Sequence, residues 1–401
     1  MLDARPQDNN GTSTRTRLAR VLIVDDSAIV RQVLQAQLAR EPGVEVVVTA
    51  ADPFAAREKI LALKPDCVVL DIEMPRMDGL TFLRKLMKFH PVPTIICSSV
   101  TPRGCALALE CLEAGAFEVV SKPGGNFSVG EVARRLGELV RAAVNSRIAR
   151  TTNNSGVATL PLTDDGDSAK VNEPLMPRVA TRVVAKPAEQ KLISPLFRPG
   201  LSDKLIAIGT STGGTEALRK VLTELSVDTP PILMVQHMPE GFTKAFADRL
   251  NSLCRIAVKE AEDGDAVIAG RALLAPGSFH MRLVREGGPA SNKWIVRVTD
   301  GPRVLRHKPS VEVLFESCAQ YAGKKAMGVI MTGMGNDGAA GLLSMRKAGA
   351  VTVAQDEQSC VVYGMPREAA LCGAAQTIAP LDRIAKLISD FTAGSLVAQA
   401  A

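Results

Sequence analysis

Aromatic side chains, histidines and a strong charge of one sign are all scarce in this sequence. Of its 401 residues, 3% are aromatic and four are histidines, and the net charge of +6 is not gathered into a long basic run. A small, dispersed charge gives little support for a nucleic-acid partner. No stretch reaches the roughly 20 apolar residues that a membrane helix needs, and the polar N-terminus lacks the apolar core of a signal peptide. We therefore expect a cytoplasmic protein that neither inserts into membranes nor binds nucleic acid.

Cysteine pairs with metal-binding or redox spacing are also missing. The eight cysteines include no CxxC pair and lie mostly inside apolar segments. Such residues are typical of reduced core thiols rather than of disulfides or a zinc site. The hydrophobic fraction of 46%, together with a length that exceeds what one core usually fills, predicts a folded protein with two domains.

Short apolar segments alternate with amphipathic ones in the first part of the chain. The candidate strands are RVLIVDD, VEVVVTA, DCVVLDI, TIICSSV and FEVVSKP, which are rich in β-branched residues and end in polar or turn residues. Between them, stretches such as IVRQVLQAQLA place apolar side chains on one helical face. This alternation predicts a five-stranded, parallel, doubly wound sheet over residues 19–147, after a disordered tail over residues 1–18.

A segment without periodicity separates this domain from a second one. Residues 148–202 are rich in proline, asparagine, aspartate and serine, and we interpret them as a linker. Strand–helix alternation resumes over residues 203–395. The part from EDGDAVIAG to KWIVRVTDG has shorter strands and turn signals, which suggest antiparallel hairpins. The second domain is therefore expected to be α/β, with a mostly parallel sheet and an antiparallel hairpin.

Polar side chains collect at the predicted strand ends of the first domain. Asp25 and Asp26 end the first strand, Asp71 the third, Ser98 the fourth and Lys122 the fifth. Because the carboxyl ends of parallel strands share one crevice, these groups are expected to meet, although each taken singly is an ordinary cap or turn residue. Three carboxylates together need a hard cation, a basic side chain or a proton. With Mg²⁺ and Lys122 balancing the charge, Asp71 can act as a nucleophile toward phosphorus.

These motifs, VDDS, LDIEMPRMDG, CSSVT and SKP, resemble the receiver domain of two-component response regulators. The resemblance implies that Asp71 is the phosphoacceptor and that a histidine kinase is the phosphodonor. It also implies a magnesium site, with ligands from Asp25, Asp26, Asp71 and the carbonyl of Glu73. Ser98 and Lys122 would be the two residues that sense the phosphoryl group.

A glycine-rich turn, GTSTGG over residues 209–214, follows the first strand of the second domain. A Walker-type phosphate loop needs a lysine after its last glycine, where this chain has Thr215, and a dinucleotide loop needs glycine where Ser211 stands. The letters do fit GxSxG between a strand and a helix, the setting of an exposed nucleophile. Ser211 is therefore a candidate nucleophile, which requires a base and an orienting acid.

Two further strand ends offer these partners. His237 ends the next strand, and parallel pairing would bring it to the edge that carries Ser211. Asp337, in TGMGNDG after a later strand, would orient His237, while the glycines leave N–H groups free for an oxyanion. The plainer interpretations are a structural histidine and an Asn-Asp-Gly turn. We interpret His280 and His307, which lie outside the strand ends, as structural or substrate-lining.

The motifs GTSTGGTEAL, VQHMPEGFT and MTGMGNDGAAG resemble the catalytic domain of the chemotaxis methylesterase family. The resemblance implies a triad of Ser211, His237 and Asp337, with Thr212 and the N–H of Met334 assisting at the oxyanion hole. It implies glutamate methyl esters on the cytoplasmic helices of chemoreceptors as substrate, and receptor glutamines as a second one. Hydrolysis is expected to need no cofactor, whereas phosphorylation needs Mg²⁺.

The order of receiver, linker and hydrolase suggests regulation. We expect the unphosphorylated receiver to pack over the Ser211 crevice, and phosphorylation at Asp71 to shift the population toward an open form. Two other output functions stay open at this point, a domain that binds DNA or a partner without catalysis and a nucleotide-binding domain. The first has no basic recognition helix in its support, and the second has only incomplete phosphate fingerprints.

Overall fold

The computed structural model describes residues 18–123, 128–146, 203–287 and 293–398 of the chain. Within them, two α/β domains follow each other, each built on its own main sheet. Among the described helices, none has the length and apolar character of a membrane span. The expected tail, apart from Leu18, and the expected linker lie outside the described residues. Both therefore stay predictions.

A five-stranded parallel sheet in the order β2-β1-β3-β4-β5 forms the first domain, which we term the receiver. Its strands are β1 (Ala19–Val24), β2 (Val44–Ala50), β3 (Cys67–Asp71), β4 (Thr94–Ser98) and β5 (Glu118–Ser121). Its helices are α1 (Ala28–Leu38), α2 (Pro53–Leu63), α3 (Gly79–Phe89), α4 (Pro102–Glu113) and α5 (Val129–Val144). Each helix begins after a side-chain cap that accepts a first-turn N–H, from Ser27, Asp52, Asp78, Thr101 and Ser128 respectively.

Apolar side chains cover both faces of the receiver sheet. Helices α1 and α5 pack on one face, where Leu34 and Leu136 are buried, and α2, α3 and α4 pack on the other, where Leu70 is buried. Strands covered on both sides carry nearly continuous apolar runs, which is why β1 and β3 show no strict alternation. The prediction of a doubly wound parallel domain is confirmed.

A seven-stranded sheet in the order β14-β13-β12-β6-β7-β9-β8 forms the second domain, and all its neighbouring strands are parallel. Its strands are β6 (Leu205–Thr210), β7 (Ile232–Gln236), β8 (Ala257–Glu260), β9 (Arg271–Leu274), β12 (Ala326–Ile330), β13 (Val351–Gln355) and β14 (Thr377–Ala379). A separate antiparallel hairpin consists of β10 (His280–Arg285) and β11 (Trp294–Thr299). The helices are α6 (Gly214–Glu224), α7 (Phe242–Leu253), α8 (Val311–Tyr321), α9 (Ala339–Lys347), α10 (Met365–Leu371) and α11 (Leu381–Ala393).

The predicted α/β architecture with one antiparallel hairpin is confirmed, but the extent of antiparallel pairing was overestimated. Strand β9, which lies in the region of suggested hairpins, runs parallel to both β7 and β8. The connection from β8 to β9 passes the hairpin, where Ala266 forms a bridge with Ile295. That crossover reverses the chain and so permits parallel pairing.

Helix α4 of the receiver packs against α7 of the second domain. Their apolar side chains belong to one continuous cluster, which includes Leu109 and Phe246. At its exposed edge, Arg249 donates to both carboxylate oxygens of Glu113, at 2.9 and 3.1 Å. The two domains therefore share an apolar contact that is flanked by a charged one.

Gly209, near the end of β6, makes room for helix α8. A Cβ at this position would lie 2.9 Å from Cγ2 of Val311 and closer still to its Cγ1. We predict that Gly209→Ala destabilises this domain by about 1–3 kcal/mol through overpacking.

Denaturant unfolding followed by the fluorescence of Trp294, the single tryptophan of the chain, measures this effect. In a Val311→Ala background the same glycine substitution is expected to cost less, because the clashing methyl groups are gone. An equal cost in both backgrounds would contradict the packing argument.

Candidate active site

Ser211 lies directly after β6, in the turn that leads into α6. Its N–H donates to the carbonyl of Thr332 at 3.0 Å, and its own carbonyl accepts the Gly214 N–H at 2.7 Å. The left-handed backbone conformation of the turn falls on Gly213, with φ of 77°, whereas Ser211 has no positive φ. The turn is therefore sharp without straining the serine. The GxSxG pattern predicted an exposed nucleophile, whereas Ser211 is only 1% exposed.

The Ser211 hydroxyl is buried, and its Oγ has no hydrogen-bond partner among the described residues. Gly333 lies against it, since a Cβ on this glycine would come within 2.7 Å of the Ser211 Cβ. The glycine after β12 thus lets the neighbouring loop approach the serine closely. An unpartnered buried hydroxyl is a group available for reaction.

His237 and Asp337 form a close pair beside this serine. Strands β6 and β7 are adjacent, and Thr210 is in register with Gln236, so the next residues of both strands, Ser211 and His237, share one edge. Nε2 of His237 lies 2.7 Å from Oδ2 of Asp337, and both side chains are buried. The other ring nitrogen, Nδ1, has no partner in the described part of the chain. An ionised Asp337 fixes the proton on Nε2 and leaves Nδ1 as a base.

Asp337 is held in place by the start of α8. Its Oδ1 accepts from the Ser310 hydroxyl at 2.8 Å and from the Glu312 N–H at 2.9 Å, and its Oδ2 accepts from the Val311 N–H at 2.8 Å. Burial raises the pKa of this carboxyl, but His237, the Glu312 N–H and the Ser310 hydroxyl together lower it below the ordinary value. The helix N-terminus therefore keeps Asp337 ionised.

His307 stacks on the ring of His237. The ring centroids are 3.7 Å apart and the planes differ by 4°. Burial, followed by the nearby His237, lowers the pKa of His307 to about 2, so this ring is neutral. The sequence interpretation of His307 as structural or substrate-lining missed this contact, and no motif signalled it. His280, given the same interpretation, is buried in β10, with Nε2 2.9 Å from the Pro302 carbonyl.

The two expected oxyanion residues lie at the same edge. The Thr212 hydroxyl is buried without a hydrogen-bond partner among the described residues. Met334 lines the cavity that His237 also lines. Within those residues nothing accepts a hydrogen bond from the N–H of Met334. The Met334 N–H is thus free to meet a developing negative charge, whereas the Thr212 hydroxyl lies near the Glu118 carboxyl of the receiver. The role of both groups stays a prediction.

Gln236 is a supporting residue that sequence reasoning missed. Its Nε2 donates to the Ser211 carbonyl at 2.9 Å, and its Oε1 accepts from the Thr210 hydroxyl at 2.7 Å. This buried amide ties the end of β7 to the turn after β6. The signal was present, because a glutamine at the buried end of an apolar strand needs partners. Ser310 was missed likewise, although Pro309-Ser310 precedes a helix.

The acidic cluster of the receiver assembles as expected. Carboxylate oxygens of Asp25, Asp26 and Asp71 lie within 4.8 Å of one another. Nζ of Lys122 is 3.0 Å from Oδ2 of Asp25 and 2.8 Å from Oδ2 of Asp71. Burial raises the pKa of Asp71 above its ordinary value, although Lys122 opposes this shift. Crowded hard-oxygen donors of this kind fit a divalent cation such as Mg²⁺.

The remaining receiver residues border this cluster. The Ser98 hydroxyl points toward the start of α4, where it donates to the carbonyl of Gly104 at 3.3 Å. The Glu73 N–H donates to Oδ1 of Asp71 at 3.3 Å, and its carboxylate accepts from Ser99 at 2.9 Å. The structure therefore brings all the predicted receiver residues to one edge.

A cavity of about 910 Å³ lies between the two domains. Its walls include His237 and Met334 from the second domain and Glu118 and Arg135 from the receiver. The receiver thus lies over the edge that carries the candidate triad.

Comparisons with known proteins agree with both halves of this architecture. The family model described as CheB methylesterase matches residues 206–388, and that of the response regulator receiver domain matches residues 21–129. A protein-glutamate methylesterase/protein-glutamine glutaminase of Syntrophus aciditrophicus is 50% identical over 366 residues, which cover 91% of this chain and 97% of the relative. This chain belongs to the protein-glutamate methylesterase/protein-glutamine glutaminase family.

Other members of this family are similarly close. One from Geobacter metallireducens is 48% identical over 370 residues, covering 92% of this chain and 97% of its own. Among solved structures, the Thermotoga maritima CheB methylesterase catalytic domain is 35% identical. The match covers 47% of this chain and 98% of that chain, with a TM-score of 0.45. The response regulator domain of Thermotoga maritima CheB is 42% identical, and the match covers 32% of this chain and 98% of that chain, with a TM-score of 0.30.

A serine-reactive fluorophosphonate tests the chemical role of the pair beside Ser211. We predict that Asp337→Asn slows labelling of Ser211 by about 10²- to 10⁴-fold, because the histidine loses its fixed tautomer. Ser310→Ala removes one of several hydrogen bonds to Asp337 and should slow labelling far less.

Intact-mass spectrometry measures the rate, and Trp294 fluorescence confirms that each variant is folded. Labelling of Asp337→Asn at the wild-type rate would rule out this role for the carboxylate.

Proposed function

We propose that this protein is a phosphorylation-regulated hydrolase that removes methyl esters from glutamate side chains of chemoreceptors, and deamidates receptor glutamines, during adaptation in chemotaxis. The observation that carries the proposal is the 2.7 Å contact between His237 and Asp337 beside the unpartnered Ser211. The relatives' names, protein-glutamate methylesterase/protein-glutamine glutaminase, support the reaction.

The first step forms an acyl-enzyme. Nδ1 of His237 is free while Nε2 faces Asp337, so Nδ1 takes the proton of Ser211. The serine Oγ then attacks the ester carbonyl, and the oxyanion meets the Thr212 hydroxyl and the Met334 N–H. In the described geometry Oγ makes no hydrogen bond, so it must turn toward Nδ1 when substrate binds. Collapse returns the proton to the methoxy group, and methanol leaves.

The second step releases the enzyme. His237 takes a proton from water, the hydroxide attacks the acyl carbon, and the proton returns to Ser211 as the free glutamate departs. A glutamine side chain follows the same course and loses ammonia instead of methanol. Asp337 stabilises the imidazolium in both steps, and its depressed pKa keeps it ionised for this purpose.

Methanol release from methylated receptor tests the activity. We predict that Ser211→Ala lowers the turnover roughly 10⁴-fold or more, because the nucleophile is lost. Ser389→Ala, a serine of α11 whose hydroxyl donates to Ala385, is the matched control and should retain full turnover. Near-normal methanol release by Ser211→Ala would refute the assignment.

The receiver would control this reaction. A histidine kinase is the proposed donor and Asp71 the acceptor, with Mg²⁺ held by Asp25, Asp26, Asp71 and the Glu73 carbonyl. When bound, Mg²⁺ neutralises the carboxylates and the incoming phosphoryl oxygens. Lys122 already contacts two of the carboxylates and would follow the new charge, as Ser98 would from the end of β4. The cytoplasmic location, next to receptor helices, stays a prediction.

Activation by a small phosphodonor tests this regulation. We predict that acetyl phosphate with Mg²⁺ raises methanol release by the full-length protein severalfold, since phosphorylation shifts the receiver away from the Ser211 edge. Asp71→Asn should keep the basal turnover and lose the activation. Equal turnover with and without phosphodonor in the wild type would exclude inhibition by the receiver.

A further inference from the structure

The loop before α8 carries two arginines close to the stacked pair of His237 and His307. Arg303 and Arg306 line the same cavity as His237, and Arg306 directly precedes His307. Backbone hydrogen bonds between Val304 and His307, at 3.0 and 2.9 Å, close the loop. The two arginine side chains are 52% and 77% exposed, so this hydrogen-bonded loop presents two accessible positive charges beside the candidate triad.

Helix α5 of the receiver faces these arginines with two glutamates. Arg303 lies 3.9 Å from Glu131, and Arg306 lies 3.6 Å from Glu138. Residues seven positions apart lie on one face of a helix. Two glutamates on one face of α5 therefore contact the two arginines, although Arg134, Arg135 and Arg141 of the same helix also line the cavity.

These contacts are easily exchanged. Glu131 also accepts hydrogen bonds from Ser128, and Glu138 also pairs with Arg134 on its own helix, at 3.2 Å. Exposed ion pairs contribute little to stability, so the glutamates can leave without a large cost. Among the described residues, the ion pairs of both arginines are those with α5, so the departure of α5 would leave the two charges open to another acidic group.

A third glutamate of the receiver reaches deeper. Glu118, at the start of β5, is buried in the wall of the same cavity, and its Oε2 has no hydrogen-bond partner among the described residues. Burial raises the pKa of this carboxyl, while Arg135 and the nearby Thr212 hydroxyl oppose the shift. The receiver thus presents one glutamate beside the residue after Ser211 and two more to the arginines.

We infer that Arg303 and Arg306 form a docking site for acidic side chains on a helical substrate, and that α5 occupies this site while the receiver is closed. The inference rests on the proposed function and adds the recognition of the sequence around the esterified glutamate. A helix with a glutamate methyl ester and acidic neighbours one and two heptads away would present two carboxylates to the arginines with the spacing of Glu131 and Glu138.

Two synthetic helical peptides test the site with the full-length chain, activated by acetyl phosphate and Mg²⁺. Each carries one glutamate methyl ester, flanked at seven and at fourteen residues on either side by glutamate in one peptide and by glutamine in the other, so that two flanking residues have the spacing of Glu131 and Glu138. We predict that Arg303→Ala/Arg306→Ala raises KM for the acidic peptide about five- to tenfold, with kcat held within about twofold, because two exposed ion pairs are lost. The variant should then hydrolyse both peptides with similar kcat/KM.

Arg297→Ala is the matched control, since Arg297 is as exposed as Arg303 and pairs with Asp263 away from the cavity. It should keep the wild-type preference for the acidic peptide, as should the charge-conserving Arg303→Lys/Arg306→Lys. An unchanged KM for the acidic peptide in the alanine variant, or an equal loss on both peptides, would overturn the inference. Failure of the proposed function looks different, because the wild type would then hydrolyse neither peptide.

Discussion

The placement of α8 and of His237 in the second domain depends on the buried carboxylate of Asp337. An ion withdrawn from water must find compensating donors, and Asp337 finds them in Ser310, in the first N–H groups of α8 and in His237. Helix α8 must therefore begin at this point and pack closely under β6, which the absent side chain of Gly209 permits. The position of His237, the candidate base, follows from the packing of a helix that contains no member of the candidate triad.

Both candidate sites lie where the strand order of their sheet reverses. In the receiver, β1 has β2 on one side and β3 on the other; Asp25 follows β1 and Asp71 ends β3. In the second domain, β6 lies between β7 and β12, and Ser211 and Asp337 follow the switch-point strands. The crevice that opens at such a point is the proposed place of the phosphoryl group in one domain and of the ester in the other. The topology explains the location, and only the side chains explain the chemistry.

The sequence was informative about the sheets and about the polar residues that lie at strand ends. Continuous β-branched runs predicted the parallel sheets, and parallel pairing was enough to place His237 beside Ser211. It was uninformative where contacts depend on loops, because the stack of His307 on His237 requires the closed loop before α8. Strand β9 was misjudged for the same reason, since its partners depend on a crossover. Glu118 carried no signal because a single glutamate at the start of a strand is common.

The closed arrangement rests on contacts of two kinds, and this determines how it can open. The apolar contact between α4 and α7 is continuous with the cores of both domains and favours association. Ion pairs at the surface also join the two domains, such as Arg249 with Glu113 beside this contact and Arg306 with Glu138 at α5, and each contributes at most about 1 kcal/mol. A modest rearrangement of α4, whose first turn contacts Ser98, would loosen the apolar contact while water replaces the ion pairs at little cost. Because most of these contacts are easily exchanged for water, a charge added covalently at one site is enough to shift the population from the closed to the open arrangement.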